Sequence, residues 1–191
     1  VNLYETTWTI TEIASSTTAE GRRLLEFSGD YARKNYNNKP FTYTNLNGEK
    51  QDILIEKTDV VYGDTDSIFV LYNIKDMDGN YIYNREAVKA SIDISLDVEH
   101  NITPLFGYPH VLEYEKTFWP FILISKKRYA GDKYEFNPYK AKQTSMGLVT
   151  KRRDNAKIVK YVFGGILDII MGKKDLQAAI DFLQVCVRDI M

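Results

Sequence analysis

The feature that most constrains this 191-residue chain is a short acidic segment between two apolar, β-prone runs. Residues 53–55 and 59–62 form one strand pattern, and residues 68–72 form another. Between the two patterns lies Gly63-Asp64-Thr65-Asp66. Strand-like runs separated by a few turn-forming residues indicate a β-hairpin. The sequence therefore predicts a hairpin whose end carries two carboxylates, two residues apart.

This acidic pair constrains the chemistry as well. Alternation along an extended chain can send Asp64 and Asp66 toward one face, and like charges held a few ångström apart destabilise a fold. A bound divalent cation removes that penalty, and Mg²⁺ commonly takes one or two protein carboxylates. An ordinary acidic turn is the alternative, because Asp favours turns for local hydrogen-bonding reasons. The apolar runs on both sides favour the metal hypothesis.

Composition excludes several classes of protein. The chain has 25 basic and 26 acidic residues and is 44% hydrophobic, which excludes a disordered or low-complexity chain. The longest apolar stretch, residues 161–171, contains Asp168 and is about half the roughly 20 residues that span a bilayer. The first thirty residues lack a secretion signal. The single Cys186 cannot form an internal disulfide, and its position among apolar helical residues predicts a packed thiol.

Charge is unevenly distributed along the chain. Residues 126–160 contain 11 Lys and Arg against 3 Asp and Glu, a balance of +8. The net charge of the chain is −1, so the remaining residues together carry −9. A polyanion could bind the first region while cations bind the second. A solvated charged surface is the alternative explanation.

Local signals predict the first elements. Residues 4–13 are β-prone, and the Thr17-Thr18-Ala19-Glu20 spacing is typical of a capping box that begins a helix over residues 18–36. Asn47-Gly48 predicts a hairpin turn. Asp78-Gly79 predicts a second turn, and Asn84 is a candidate N-cap for the helix after it.

The second half changes from extended to helical patterns. Residues 111–125 read as extended, and Pro120 indicates a bulge or an edge strand. Two helices follow, over residues 155–171 and 175–190, with Gly172 as the stop between them. The second has an apolar stripe formed by Leu176, Ile180, Leu183 and Val187. Strands followed by helices predict an α+β fold.

Four segments together resemble motifs of family B DNA polymerases, in the order of that family. The segment similar to the third catalytic motif is Tyr62-Gly63-Asp64-Thr65-Asp66-Ser67. The segment similar to the primer–template contact motif at the end of the palm is Lys126-Lys127-Arg128-Tyr129. The segment similar to the start of the thumb is Met146-Gly147-Leu148-Val149-Thr150-Lys151-Arg152-Arg153-Asp154-Asn155. The segment similar to the palm helix after the fingers is Ala14-Ser15-Ser16-Thr17-Thr18-Ala19-Glu20-Gly21-Arg22.

This resemblance covers nearly the whole chain. The sequence around Phe118-Trp119-Pro120 and Lys151 is most similar to that of polymerases of nucleocytoplasmic large DNA viruses. The family resemblance implies an antiparallel palm sheet with packed helices over residues 1–140 and the helical start of the thumb over residues 141–191. The family's first carboxylate motif and its fingers helix are expected before Val1. The chain is therefore expected to be an internal piece of a DNA-directed DNA polymerase and to be inactive alone.

The resemblance also implies roles for individual residues. Asp64 and Asp66 are the expected catalytic and metal-binding carboxylates for two Mg²⁺ ions, with Mn²⁺ as a substitute. The expected turn-shaping residues are Tyr62, Gly63, Thr65 and Ser67. The expected DNA-binding residues are Lys126, Lys127, Arg128, Tyr129, Arg152 and Arg153.

The implied partners are primer–template DNA, a deoxynucleoside triphosphate, the remainder of the chain and a sliding clamp or other processivity factor. No membrane is expected, and the implied location is intracellular, in a host nucleus or a cytoplasmic virus factory. Two alternatives stay open. Another metal-dependent polymerase, such as a reverse transcriptase, usually has adjacent Asp-Asp, whereas Thr65 intervenes here. A non-catalytic nucleic-acid-binding palm module would keep Asp64 and Asp66 as relics.

Overall fold

The computed structural model describes residues 3–148, 155–173 and 175–190, and it confirms the α+β class. The elements, in chain order, are α1 (Leu3–Tyr36), β1 (Lys39–Thr44), β2 (Lys50–Asp64), β3 (Ser67–Lys75), α2 (Arg85–Phe106), β4 (Thr117–Ser125), β5 (Arg128–Tyr134), β6 (Lys142–Met146), α3 (Lys157–Lys173) and α4 (Leu176–Ile190). The chain forms two compact units, Val1–Glu115 and Lys116–Met191. The predicted palm and thumb boundary near residue 140 stays a prediction, because a compact unit need not coincide with a domain of the whole protein.

The first unit contains an antiparallel sheet of order β1-β2-β3, with α1 and α2 packed against it. Side chains from the sheet and both helices form one core. Its buried members are Tyr36, Tyr43, Ile53, Ile55, Ile74, Ala90, Ile94 and Val98. Ile53 and Ile55 of β2 are part of this core, and β2 is the strand that leads to the acidic pair.

The predicted turns of this unit are confirmed. Gly48 has φ +85° and lies between β1 and β2, where its amide donates to the Asn45 carbonyl at 3.0 Å. Gly79 has φ +88° in the turn after β3. Asn84 is the N-cap of α2, and its side chain accepts from the Glu86 amide at 2.9 Å. Local chemistry alone determines these three features.

The start of α1 differs from the prediction. Residues 4–13 belong to the helix although their residue types are β-prone, so the predicted helix start at residue 18 was wrong, and the predicted capping box lies in the helix interior. The Thr17 and Thr18 hydroxyls instead donate to the carbonyls of Ile13 and Ala14, each at 2.9 Å. A threonine inside a helix satisfies its hydroxyl in this way, whereas at an N-cap it would accept from a free amide.

The second unit contains another antiparallel sheet, of order β4-β5-β6. The edge strand β4 has a register shift between Phe118 and Phe121, where Pro120 lies. Pro120 was therefore predicted correctly at both an edge and a bulge. Ala130, Leu148 and Leu167 form the buried core between this sheet and α3.

The two C-terminal helices were predicted within about two residues, although α3 continues through Gly172 to Lys173. The apolar stripe of α4 is not buried within the described residues. Leu176 is 67% exposed and Val187 is 48% exposed, whereas Ala179 and Cys186 on the same helix are buried. Small residues face inward because they permit close packing of α4. Within the described residues, no helix is both long enough and apolar enough to cross a bilayer.

Candidate functional site

The acidic pair lies at the end of the hairpin formed by β2 and β3, as the sequence predicts. The last three strand pairs are Tyr62 with Phe69, Gly63 with Ile68, and Asp64 with Ser67. Thr65 and Asp66 form the two-residue turn between the strands. The Tyr62 and Phe69 rings pack at 5.3 Å between centroids. Three consecutive strand pairs therefore lead directly to the turn and support it.

A β-bulge lies just before this end. Val60 pairs with Val70 and Tyr62 pairs with Phe69, so Val61 is an extra residue in β2. A bulge bends its strand and increases the local twist, which changes the direction of the residues that follow. The sequence contains no signal for this bulge, since valine is common in regular strands. Sequence reasoning therefore missed the feature that directs the acidic end.

Thr65 has φ +57°, in the left-handed region. A β-branched residue rarely adopts this conformation, and such strain costs about 1 to 3 kcal/mol. The turn around it is closed by two hydrogen bonds to the Asp64 carbonyl. The Asp66 amide donates to this oxygen at 2.7 Å, and the Ser67 hydroxyl donates to it at 3.2 Å. These bonds hold the backbone of both aspartates in a fixed turn.

The two carboxylates have different environments. Asp64 is half-buried, and the Thr65 hydroxyl donates to its Oδ1 at 3.2 Å, whereas Asp66 is exposed. The premise of an extended chain between them was wrong, because the chain reverses at Thr65. Asp64 is thus placed by the strand and Asp66 by the turn.

Asp59, the other carboxylate near the end of β2, is committed to ion pairs. Lys57 Nζ lies 3.2 Å from one of its oxygens, and Arg33 Nε lies 3.6 Å from the other. The hydrogen bond from Lys57, with the added charge of Arg33, holds the pKa of Asp59 below its usual value. The Asp59 carboxylate thus balances the two cationic side chains beside it.

The donor set at the hairpin end fits a hard divalent cation. It offers carboxylate oxygens from Asp64 and Asp66 and hydroxyl oxygens from Thr65 and Ser67, the type of ligand that Mg²⁺ prefers. No cluster of three or more His, Cys, Asp or Glu that could hold a metal occurs among the residues with described positions. The hairpin therefore supplies part of a coordination shell, which substrate, water and other protein groups would have to complete.

The second predicted site lies at the turn between β4 and β5. Ser125 pairs with Arg128, so Lys126 and Lys127 form a two-residue turn, and Lys127 has φ +59°. Lys126, Lys127 and Arg128 are all exposed. The structure thus brings three consecutive cationic residues to one exposed turn, as a phosphate-binding surface requires.

Tyr129, the fourth residue of this motif, is only 8% exposed. Its ring packs against Phe118 at 5.9 Å and against Phe121 at 5.6 Å between centroids. Within this unit, Tyr129 supports the turn from below. Its predicted contact with DNA stays a prediction.

Arg152 and Arg153 lie outside the described residues, so their predicted contact with the DNA backbone also stays a prediction. The two candidate turns belong to different compact units.

Comparison with known proteins identifies relatives of the whole segment. A sequence model described as DNA polymerase family B matches residues 7–191. The DNA polymerase of Pyramimonas orientalis virus is 43% identical over 180 residues, which are 94% of this chain and 13% of that protein. The DNA polymerase of Acanthamoeba polyphaga mimivirus is 39% identical over 133 residues, 70% of this chain and 8% of that protein. The DNA polymerase delta catalytic subunit of Glycine max is 31% identical over 180 residues, 94% of this chain and 14% of that protein. The chain therefore spans less than one sixth of the length of each of these relatives.

Proposed function

The chain belongs to DNA polymerase family B, and from this premise we propose that it is part of a DNA-directed DNA polymerase. The reaction transfers a nucleotide from a deoxynucleoside triphosphate to the 3′-hydroxyl of a primer on a DNA template and releases pyrophosphate. One observation carries the proposal. The half-buried Asp64 and the exposed Asp66 stand at the end of a rigid hairpin inside the segment that the family matches.

Asp64 would hold Mg²⁺ in a reaction that uses two such ions, with Mn²⁺ as a substitute. Its backbone is fixed by two hydrogen bonds to its carbonyl, which supports the more exacting role. Asp66 is exposed on the turn and has the less direct role of maintaining charge and local geometry. When bound, the two ions would lower the pKa of the primer hydroxyl and stabilise charge on the attacking and leaving oxygens.

Gly63 and Tyr62 would form the part of the hairpin that the primer end approaches. A Cβ at Gly63 would approach only the Ser67 carbonyl, at 3.7 Å, so nothing in the hairpin itself excludes a side chain there. The open space above Gly63 is therefore available to a substrate that approaches the backbone closely. Tyr62, held by Phe69, would brace the primer terminus beside that space. Thr65 and Ser67 shape the turn through their hydroxyl bonds to Asp64.

The cationic turn would hold the duplex. Lys127 is assigned to the primer strand near the new base pair, and Lys126 and Arg128 add positive charge for phosphates. Tyr129 would meet the primer strand or the minor groove near the new base pair, and Arg152 and Arg153 would hold the backbone from the thumb. Phosphate contacts position a duplex without reading its sequence, which suits a replicative enzyme.

The remaining groups of the active centre belong to the rest of the protein. A further metal-binding carboxylate and the residues that hold the incoming nucleotide are expected there, so residues 1–191 alone should not incorporate nucleotides. A processivity factor such as a sliding clamp, and an intracellular location in a nucleus or a virus factory, follow from the same assignment.

Primer extension by the whole protein tests the proposal. Asp64→Asn should reduce nucleotide incorporation by at least two to three orders of magnitude, since removal of one preorganised group that stabilises charge already costs about 10² to 10³. Primer–template affinity should stay close to wild type. Asp52→Asn on the same strand β2 is the matched control and should retain full incorporation.

Equal loss of incorporation and DNA affinity in Asp64→Asn would point to a folding role instead. A wild-type protein that binds primer–template but incorporates nothing with Mg²⁺ or Mn²⁺ would be a non-catalytic palm module, and the proposal would be wrong.

A further inference from the structure

Gly147 makes an unusually close approach to the cationic turn between β4 and β5. It follows β6 directly and has φ +63°. A Cβ built on Gly147 would lie inside the 3.0 Å that real Cβ atoms keep, against the Lys127 carbonyl oxygen. It would also lie 3.2 Å from the Lys127 carbonyl carbon and 3.3 Å from Arg128 Cγ. Any side chain at this position must therefore displace part of the turn or move Gly147 itself.

Gly147 is held on both sides and has little freedom to move. Met146, before it, pairs with Tyr129 in the ladder between β5 and β6. Leu148, after it, is 3% exposed and packs against Ala130 and Leu167 in the core of the unit. Moving Gly147 away from the turn would break a ladder pair or remove Leu148 from the core.

The turn is the more adjustable side of this contact. Lys126 and Lys127 lie beyond the last strand pair, Ser125 with Arg128, and both are exposed. Lys127 already has a left-handed φ of +59°, a conformation that is unfavourable for most residues. A displaced Lys127 carbonyl would thus rotate this peptide and change the direction in which the Lys127 side chain leaves the backbone.

We propose that Gly147 is a positioning residue for the cationic turn. Its lack of a side chain lets the end of β6 close against the Lys127 carbonyl and sets the direction of Lys127 toward the primer strand. Gly147 touches no substrate and acts through the backbone of Lys127. The inference rests on the proposed function, because it needs Lys127 to contact primer–template DNA.

Two other glycines also have positive φ but make no close approach, so they distinguish the effect of the contact from the effect of the backbone conformation. Gly48 and Gly79 have φ +85° and +88°, but a Cβ at either would meet nothing within 4 Å. Asn tolerates left-handed backbone better than most residues, so Gly147→Asn adds mainly the contact with Lys127. Gly48→Asn adds a side chain at positive φ with no such contact and is the matched control.

The whole polymerase is the material for the test. Gly147→Asn should raise the KM for primer–template about tenfold while kcat at saturating DNA stays within about twofold, because binding geometry is altered and the acidic hairpin is not. The slope of log affinity against log salt should fall by about one phosphate contact, as expected for the loss of one Lys contact. Gly48→Asn should change neither quantity.

A double variant decides whether Gly147 acts through Lys127. Lys127→Ala should give the same defect as Gly147→Asn, and the double variant should be no worse than either alone. Additive defects, or a salt slope equal to that of the wild type in Gly147→Asn, would overturn the inference. If Gly147→Asn does not accumulate as folded protein, Gly147→Ala adds a single carbon and is tested in the same cycle.

Failure of this inference is distinguishable from failure of the proposed function. The proposed function fails if the wild-type protein does not extend primers. The inference alone fails if the wild type extends primers and Lys127→Ala weakens DNA binding, yet Gly147→Asn behaves like Gly48→Asn.

Discussion

Strained backbone marks both candidate turns at the scale of single residues. Thr65 and Lys127 are two of the three non-glycine residues with positive φ in the described chain; the third is Asn38. Asn adopts this conformation readily, whereas a β-branched Thr and a long Lys do not. Such strain persists only where surrounding structure imposes it, and it is concentrated at functional sites. Both turns that carry proposed functional residues therefore share a property that composition does not show.

Buried tyrosines of the first unit are linked to acidic partners. Tyr36, 2% exposed, donates from its hydroxyl to Asp97 Oδ2 at 2.6 Å. Tyr43, also 2% exposed, donates to Glu86 at 3.1 Å. Burial, together with the nearby Glu86 charge, raises the pKa of Tyr43 to about 12, and burial raises the pKa of Tyr72 to about 12. These hydroxyls stay protonated in the folded chain at a pH where an unfolded tyrosine ionises.

We expect the stability of the chain to fall above pH 10. The unfolded tyrosine titrates near pH 10 and the folded Tyr43 near pH 12, so the folded state binds more protons between those values. The contribution is complete below pH 10, and the free energy of unfolding should then fall by at most about 1.4 kcal/mol per pH unit for this group. Urea unfolding of the 191-residue chain from pH 8 to 12 measures it.

Tyr43→Phe should lower stability at pH 8 and flatten the alkaline decline. Tyr83→Phe is the control, because Tyr83 is 67% exposed, and it should leave the decline unchanged. Equal pH profiles for the wild type and Tyr43→Phe would contradict the assignment.

At the scale of elements, the packing of α3 against α4 depends on one glycine. A Cβ at Gly165 would lie 2.5 Å from two ring carbons of Phe182 on α4. Gly172, on the same helix, has open space around it. The ring of Phe182 thus occupies the place that a side chain at Gly165 would take.

These two glycines give a matched pair of variants. Gly172→Ala should stabilise the chain by about 0.5 to 1 kcal/mol, because Ala is the better helix former. Gly165→Ala gains the same propensity but must displace Phe182, and overpacking of this kind costs about 1 to 3 kcal/mol. Thermal and urea unfolding of both variants should show opposite or clearly unequal shifts. Similar stabilisation by both would mean that the ring moves without cost.

At the scale of the whole molecule, charge separates along the chain, with +8 over residues 126–160 and −9 over the rest. The exposed cationic turn, Lys126 to Arg128, is part of the positive region. The acidic hairpin lies in the other compact unit. The proposed function uses both kinds of charge, since phosphates require cationic groups and divalent ions require anionic ones.

We expect DNA binding by the whole protein to be strongly dependent on salt and indifferent to sequence. Replacing Lys126 and Arg128 together by Gln should reduce the magnitude of the salt slope by about 2, because each neutralised phosphate contributes about 0.9. The loss of affinity should be the same for unrelated duplex sequences. Fluorescence anisotropy between about 50 and 200 mM salt measures both quantities.

Lys34 and Lys50, two exposed lysines of the first unit, provide the control. Their joint replacement by Gln removes the same charge and should leave the slope nearly unchanged. If both pairs reduce the slope equally, binding follows net charge and the turn has no special role.

Much of the fold could be predicted because its signals are local. The Asn47-Gly48 turn, the Asn84 cap and the hairpin around Asp64 each depend on the conformational preferences of a few adjacent residues. The α+β class likewise follows from periodicity, which changes between strand-like and helical patterns along the chain. The start of α1 was missed because residues 4–13 are β-prone, and helix propagation from a neighbouring segment overrides such weak preferences.

The sequence by itself determined the α+β class, the position of the acidic pair, the cationic segment and the family, because each is written in contiguous residues. Only the tertiary structure decided that Val61 bulges, that Tyr129 is buried among aromatic rings, and that Gly147 lies against Lys127. These features depend on contacts between strands and on the space that packed neighbours leave. A pattern along one chain segment carries no information on that space, which is set when distant segments pack together.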